Sequence, residues 1–284
     1  MKQTLLSIIK WITALALVGG IVMGIRRYCI ESYHISTEAM EEALHKGDYI
    51  IVNKLPVENN PGRNRIVLFT SPLLKDSAAA ALFISRCIGM PGDTIRIGNN
   101  SYSVNGKEVP RSPRTLSSYF VTISAKDEFM RALRKLAIPE REVKPESYGF
   151  SLCLTAFEEY QLREELSEDA NIRFINEQIE DYTLIVPRKG EAYRLDARSL
   201  VACKEIILRE TNGKAAFRDG KLYIDGKETA FFFFKQDYYW MLSDNTVGAV
   251  DSRHLGFIPA DHVIGNALFC WYSKDKQRIL KPVN

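Results

Sequence analysis

From Leu5 to Ile25 the chain reads LLSIIKWITALALVGGIVMGI, with a single charge at Lys10. At about 1.5 Å of rise per residue, such a segment reaches roughly 30 Å as a helix, the thickness of a bilayer's hydrocarbon core. Lys10 lies close enough to the start for its amine to reach the headgroups, and Trp11 beside it suits the interface. A cleavable leader needs a small-x-small site after the apolar run, and Arg26, Arg27 and Tyr28 stand there instead. The sequence therefore predicts one uncleaved N-terminal transmembrane helix, with residues 1–29 as anchor. Lys2, Lys10 and the amino terminus oppose Arg26 and Arg27 across the span, so charge alone does not orient it.

The rest of the 284-residue chain, at 46% hydrophobic and 26% charged residues overall, has enough apolar material for a globular core. Its 38 basic residues are interspersed with 35 acidic ones for a net charge of +3, which gives nucleic acid no basic surface. Cys29, Cys87, Cys153, Cys203 and Cys270 are odd in number and form no CxxC pair, which argues against a disulfide framework and a zinc site. Each reads as a small buried apolar residue. His34, His45, His254 and His262 are not spaced as a ligand set, so neither metal nor cofactor is expected.

Residues 49–55 and 65–70 are short apolar, β-branched runs separated by the turn-forming Asn59, Asn60, Pro61 and Gly62, a pattern of neighbouring strands. Another run starts at Leu82. Segments 102–106 and 222–226 end in Asn-Gly and Asp-Gly, the signature of tight hairpins. Between about 110 and 220 the texture changes. Ser124-x-x-Asp127 opens a helical pattern carrying Phe129, Ala132, Leu133 and Leu136, and Thr155-x-x-Glu158 opens another carrying Leu162 and Leu166. Residues 231–234 with 238–242 form an aromatic-rich region read as strand buried on both faces, with a membrane-dipping surface as the alternative. Residues 263–269 and 270–272 read as the final strands.

Three motifs stand on this framework. ISTEAMEEALHKGD at 35–48, RCIGMPGD at 86–93 and LSDNTVGAVDSRHLGFIP at 242–259 resemble, in order and spacing, the three boxes of the bacterial signal peptidase I family. Moving the first match to bring Ser36 or Thr37 to the nucleophile position would misplace Met40, Leu44, Gly47 and Asp48 together. The resemblance implies a mostly β fold: an antiparallel β core from 30–110 and 221–284, with an α+β cap lobe inserted at 111–220. It also implies a single-pass protein of the bacterial cytoplasmic (inner) membrane, its soluble part on the outer face, acting on signal peptides of exported preproteins.

Amide hydrolysis by a Ser and Lys pair needs a hydroxyl to attack and a neutral amine to take its proton. Lowering a lysine from near 10.4 by about 3 units costs roughly 4 kcal/mol of burial. By the resemblance, the nucleophile position is Ala39, the general-base position Ser85 and the base-orienting position Ala249, while Thr37 keeps the oxyanion-hole hydroxyl. Arg86, Asp251 and Arg253 match the family's structural ion-pair cluster, and Asp244 and Asn245 match the loop that shapes the third box. Glu38 and Ser243 stand where the family has glycine. The departures at Ala39, Ser85 and Ala249 fall on the reacting groups, while the ion-pair and loop positions remain.

The sequence thus predicts a catalytically inactive homologue that binds signal peptides, an active paralogue or the translocation machinery. One alternative is an active signal peptide-cleaving serine endopeptidase using Ser85, Ser36 or Thr37 in a substitute constellation. Another is a structural membrane component that binds nothing in its groove.

Overall fold

The computed structural model describes residues 2–40, 43–55, 61–71, 81–98, 102–109, 115–141, 143–176, 181–245 and 249–283. Asn59 and Asn60 of the expected turn, positions 41–42 of the first box, 246–248 of the third and the 110–114 boundary lie outside them. Helix α1, Lys2–Tyr28, is long and apolar enough to cross a membrane, and Trp11, Leu15, Ile21 and Val22 on it have no protein cover. It runs almost directly into strand β1, Ile30–His34, with the Cys29 carbonyl between them accepting from Lys54 N at 2.7 Å.

The centre is a seven-stranded antiparallel sheet. Its order is β1, β2 (Tyr49–Asn53), Val263–Tyr272, β3 (Ile66–Thr70), β4 (Leu82–Gly89), Tyr238–Leu242 and Ile258–Pro259. The two-residue side-chain period divides β3 between two cores. Ile66 and Leu68 join Met40, Leu44, Ile50 and Ile84, while Val67 and Phe69 join Cys87, Tyr239, Met241 and Ile258. A strand so placed needs apolar residues on both faces, which is why it reads as a continuous hydrophobic run.

The chain closes with one strand, Val263–Tyr272, rather than two. Register shifts against β2 and β3 absorb its twist without breaking it. Gly265 makes this possible, since a Cβ there would lie 2.0 Å from the Asn53 carbonyl oxygen. The aromatic region also departs from expectation. Tyr238–Leu242 is covered on both faces, but Phe231–Phe233 alternates, exposing Phe231 and Phe233 and burying Phe232. Among the described residues the latter segment pairs with one strand, Ala192–Arg194, in a two-stranded ribbon.

The 111–220 span divides between two cores. Tyr119, Phe129, Phe150, Leu162 and Phe174 belong to a cluster drawn wholly from residues 119–174. A four-stranded sheet (Phe174–Asn176, Ser117–Thr122, Gly149–Leu154, Lys144–Glu146) and helices Lys126–Lys135 and Ala156–Glu165 surround it. From Leu184 onward the side chains pack with Ile88, Ile95, Val104 and Trp240 instead. The cause is strand pairing: Tyr182–Ile185 adds antiparallel to Thr94–Ile97, and Val186 N donates to the Asp93 carbonyl.

Local signals behave unevenly. Thr155 and Glu158 form the full capping box, at 3.2 and 2.9 Å. Ser124 caps nothing: its hydroxyl pairs with Thr122, and a 3-10 turn at Ile123–Ala125 leads into the helix from its N-cap, Ala125. Helix Ala197–Glu210, to which the sequence reading assigns no element, has its own box at Asp196 and Ser199. Both expected hairpins form, with Asn105 and Gly106 and then Asp225 and Gly226 at positive φ as such turns require.

Candidate functional site

The first box is a loop between β1 and β2 held from both ends. Met40 and Leu44 are fully buried in the core below it. Gly47 turns with φ +100°, and buried Asp48 accepts from His45 N at 2.9 Å and Arg278 Nε at 3.3 Å. These contacts give the physical content of the Met40, Leu44, Gly47 and Asp48 spacing. The Arg278 clamp comes from the far end of the chain, and no local pattern announces it.

The third box locks onto the first. Asn245 N donates to the Ala39 carbonyl at 3.0 Å, and Asp244 N approaches the Met40 sulfur at 3.5 Å. Asp251 is completely buried. Its carboxylate accepts from Ser243 N at 2.9 Å and Arg253 N at 3.0 Å, and takes both arms of the Arg253 guanidinium at 2.9 Å. Ser252 accepts from Met241 N at 2.9 Å. An Asp-Ser pair placed here therefore ties down the strand that precedes it. Gly256, at φ +70°, ends the short helix Ser252–Leu255 in a conformation side chains avoid.

Arg86 pairs with Asp244 rather than with Asp251. Its Nε and Nη2 reach the two carboxylate oxygens at 2.9 and 2.7 Å, and Nη1 donates to the Asn64 carbonyl at 2.9 Å. The expected cluster of Arg86, Asp251 and Arg253 is thus two ion pairs, joined by the backbone of Ser243 and Asp244. In the second box Asp93 closes the Met-Pro-Gly turn by accepting from Met90 N at 2.7 Å.

These loops border a groove of about 240 Å³ lined by Thr37, Glu38, Ala39, Leu82, Phe83, Ile84, Asn245, Ala249 and Val250. The sequence-read positions Thr37, Ala39, Ala249 and Asn245 converge there. Ser85 does not line it. Its side chain is fully buried and lies 3.0 Å, hydroxyl to hydroxyl, from Ser243, which is also buried. Cys87, two residues on, is buried as well, and burial pushes its thiol up to about 12, far from a reactive thiolate. The groove's polar side chains are Thr37, Glu38 and Asn245, with no amine among the described lining residues.

Sequence reasoning missed the groove's apolar wall, Leu82, Phe83 and Val250, since nothing in an apolar run says which side stays open. The side is set by pairing. Tyr238–Leu242 bonds to β4 only from Arg86 to Gly89, so Leu82–Ser85 keeps an edge with no described ladder partner beside the groove. Leu116 bridges to Asn245, one of the groove's lining residues.

The family model described as "Signal peptidase, peptidase S26" matches residues 8–148 and 205–272, covering most of the N-terminal helix and both arms of the central sheet. A protein named Signal peptidase I from Aquifex aeolicus is 26% identical over 93% of this chain and 84% of its own length. One of the same name from Buchnera aphidicola is 22% identical over 88% and 72%. A probable signal peptidase I-2 from Synechocystis is 35% identical over 31% of this chain and 41% of its own length. The mostly β fold with its N-terminal apolar helix is consistent with that peptidase class. The chain belongs to the signal peptidase I family.

Proposed function

We propose that this chain is a catalytically inactive signal peptidase I homologue, anchored with its soluble part on the outer face of the cytoplasmic membrane, that binds signal peptides in its groove. The observation that carries the inactivity is the buried Ser85 to Ser243 contact. With Ala39 at the nucleophile position, attack would need a hydroxyl and a base in the groove. The hydroxyl of Thr37 is there, but Ser85 is sealed behind the wall and is no amine. Losing such a unit costs around 10⁶-fold in turnover, and what binding and an oxyanion hole alone supply is negligible for an amide.

Peptide binding is supported by the apolar groove together with the edge of residues 82–84, which has no ladder partner among the described residues. Main-chain pairing along such an edge gives affinity, and a neighbouring cavity gives choice of side chain. Bound this way, the protein would hold a preprotein's signal sequence, alone or beside an active paralogue or the secretion machinery. Residues 116–176 would act as the cap over one flank, through Leu116. Photo-crosslinking of the purified full-length protein to a signal peptide tests the reading: labelling above a scrambled control is expected, and equal labelling refutes it. Cleavage of a precursor at high protein concentration would refute the inactivity.

A further inference from the structure

Among the described residues that line the groove, Glu38 is the only charged one. It is solvent exposed, and no salt bridge to a described cation engages it. Its backbone is nonetheless held in place. The Glu38 carbonyl accepts from Asn245 Nδ2 at 3.4 Å, and the next carbonyl, that of Ala39, accepts from Asn245 N. The carboxylate therefore belongs to a positioned rim rather than a free loop. Around it the rim is apolar and accessible, with Leu82 48% and Val250 45% exposed.

Resting on the peptide-binding reading above, we propose that the groove selects peptides with a lysine or arginine beside the residue seated over Ala39, and that Glu38 selects them. The cavity, at about 240 Å³, has room for one peptide side chain over Ala39, and its neighbour in the peptide lies along the exposed rim. A lysine or arginine stem can lie along Leu82 and Val250 while its charged end reaches the carboxylate in water. Glutamate at the same place in the peptide meets the same carboxylate and is repelled. At a solvent-exposed contact of about 4 Å, the attraction corresponds to roughly a five-fold change in Kd.

The test uses the full-length protein in detergent and fluorescent, N-acetylated, C-amidated peptides built on an Ala-x-Ala segment, so that a side chain is the only varied charge. One lysine, glutamine or glutamate is stepped through the positions flanking the alanines, and Kd is read by fluorescence anisotropy. At one register, lysine is expected to bind roughly three- to ten-fold tighter than glutamine and glutamate weaker, a spread that narrows at high salt. Glu38→Gln is expected to abolish the preference and Glu38→Lys to reverse it. A lysine preference that survives Glu38→Gln overturns the proposal. Binding of all peptides with no charge preference overturns it too, but leaves the peptide-binding reading standing. Binding of none refutes that reading and the proposal with it.

Discussion

Rebuilding the family's catalytic pair tests how the base position was lost. In Ser85→Lys a four-carbon amine replaces a fully buried hydroxyl whose neighbouring space is already taken by the Ser243 Oγ, 3.0 Å away. Crowding of this kind costs about 1–3 kcal/mol. The new amine must also be neutral in a site without a described carboxylate contact, and lowering its pKa by about 3 units costs roughly 4 kcal/mol. For a chain of this size each kcal/mol corresponds to roughly 2–3 °C in Tm. Ser85→Lys is thus expected to melt on the order of 10 °C below the parent. Adding Ser243→Gly relieves the crowding and is expected to return roughly 3–6 °C. The lysine's folded pKa lies below its unfolded value of about 10.4, so its penalty is largest at neutral pH and shrinks as pH rises toward 10. Activity is read by gel-resolved cleavage of a precursor. Ala39→Ser alone stays at background because no base receives its proton, and Ala39→Ser with Ser85→Lys gains little. Ser243→Gly and Ala249→Ser are expected to raise cleavage further, by making room for the amine and by orienting it. An unshifted melt for Ser85→Lys, or robust cleavage by Ala39→Ser alone, refutes the reasoning.

Three further outcomes follow from the packing. Asp251→Ala strips the partner from Arg253 and the acceptor from Ser243 N in a fully buried site, so a loss of about 3 kcal/mol is expected in denaturant melts, and an unchanged midpoint contradicts the buried network. Gly265→Ala places a methyl on the Asn53 carbonyl and is expected to cost at least about 2 kcal/mol or prevent folding, and a parent-like melt rules out the close crossing. His262 is half-buried against Thr70 Oγ1 at 2.8 Å and beside Arg209; burial first, and the arginine second, hold its pKa below 6.5. Its contribution is present above pH 6.5 and lost as pH falls through the folded value, because the unfolded chain takes up the proton first. His262→Asn is expected to flatten the Tm profile below about pH 6.5, and an identical profile refutes this.

What the sequence determined by itself rests on interactions a few residues long. A helix long and apolar enough to cross a membrane follows from helical rise and the apolar run at Leu5–Ile25. The hairpins follow from Asn105-Gly106 and Asp225-Gly226, whose positive φ is a property of those residues. The Thr155 capping box closes within a single turn. The loop contacts of Asp48, Asp93 and part of Asp251 lie within a few positions of their partners. The three-box spacing was equally legible, and with it Ala39 and Ser85 at the positions where the resemblance expects a nucleophile and a base. What only the tertiary structure decided depends on which strands become neighbours. Ser85 and Ser243 are 158 positions apart, as are Arg86 and Asp244, and they meet because β4 and Tyr238–Leu242 lie side by side. Sequence could name Arg86 and Asp251 as charged scaffold residues but could not pair them, since a guanidinium meets whichever carboxylate the sheet register brings to it. The division of 111–220 between two cores has the same origin: Leu184 and Phe174 are equally apolar, and pairing of Tyr182–Ile185 with Thr94–Ile97 sends one to the cluster around Ile95 and Trp240 and leaves the other in the cluster drawn from 119–174.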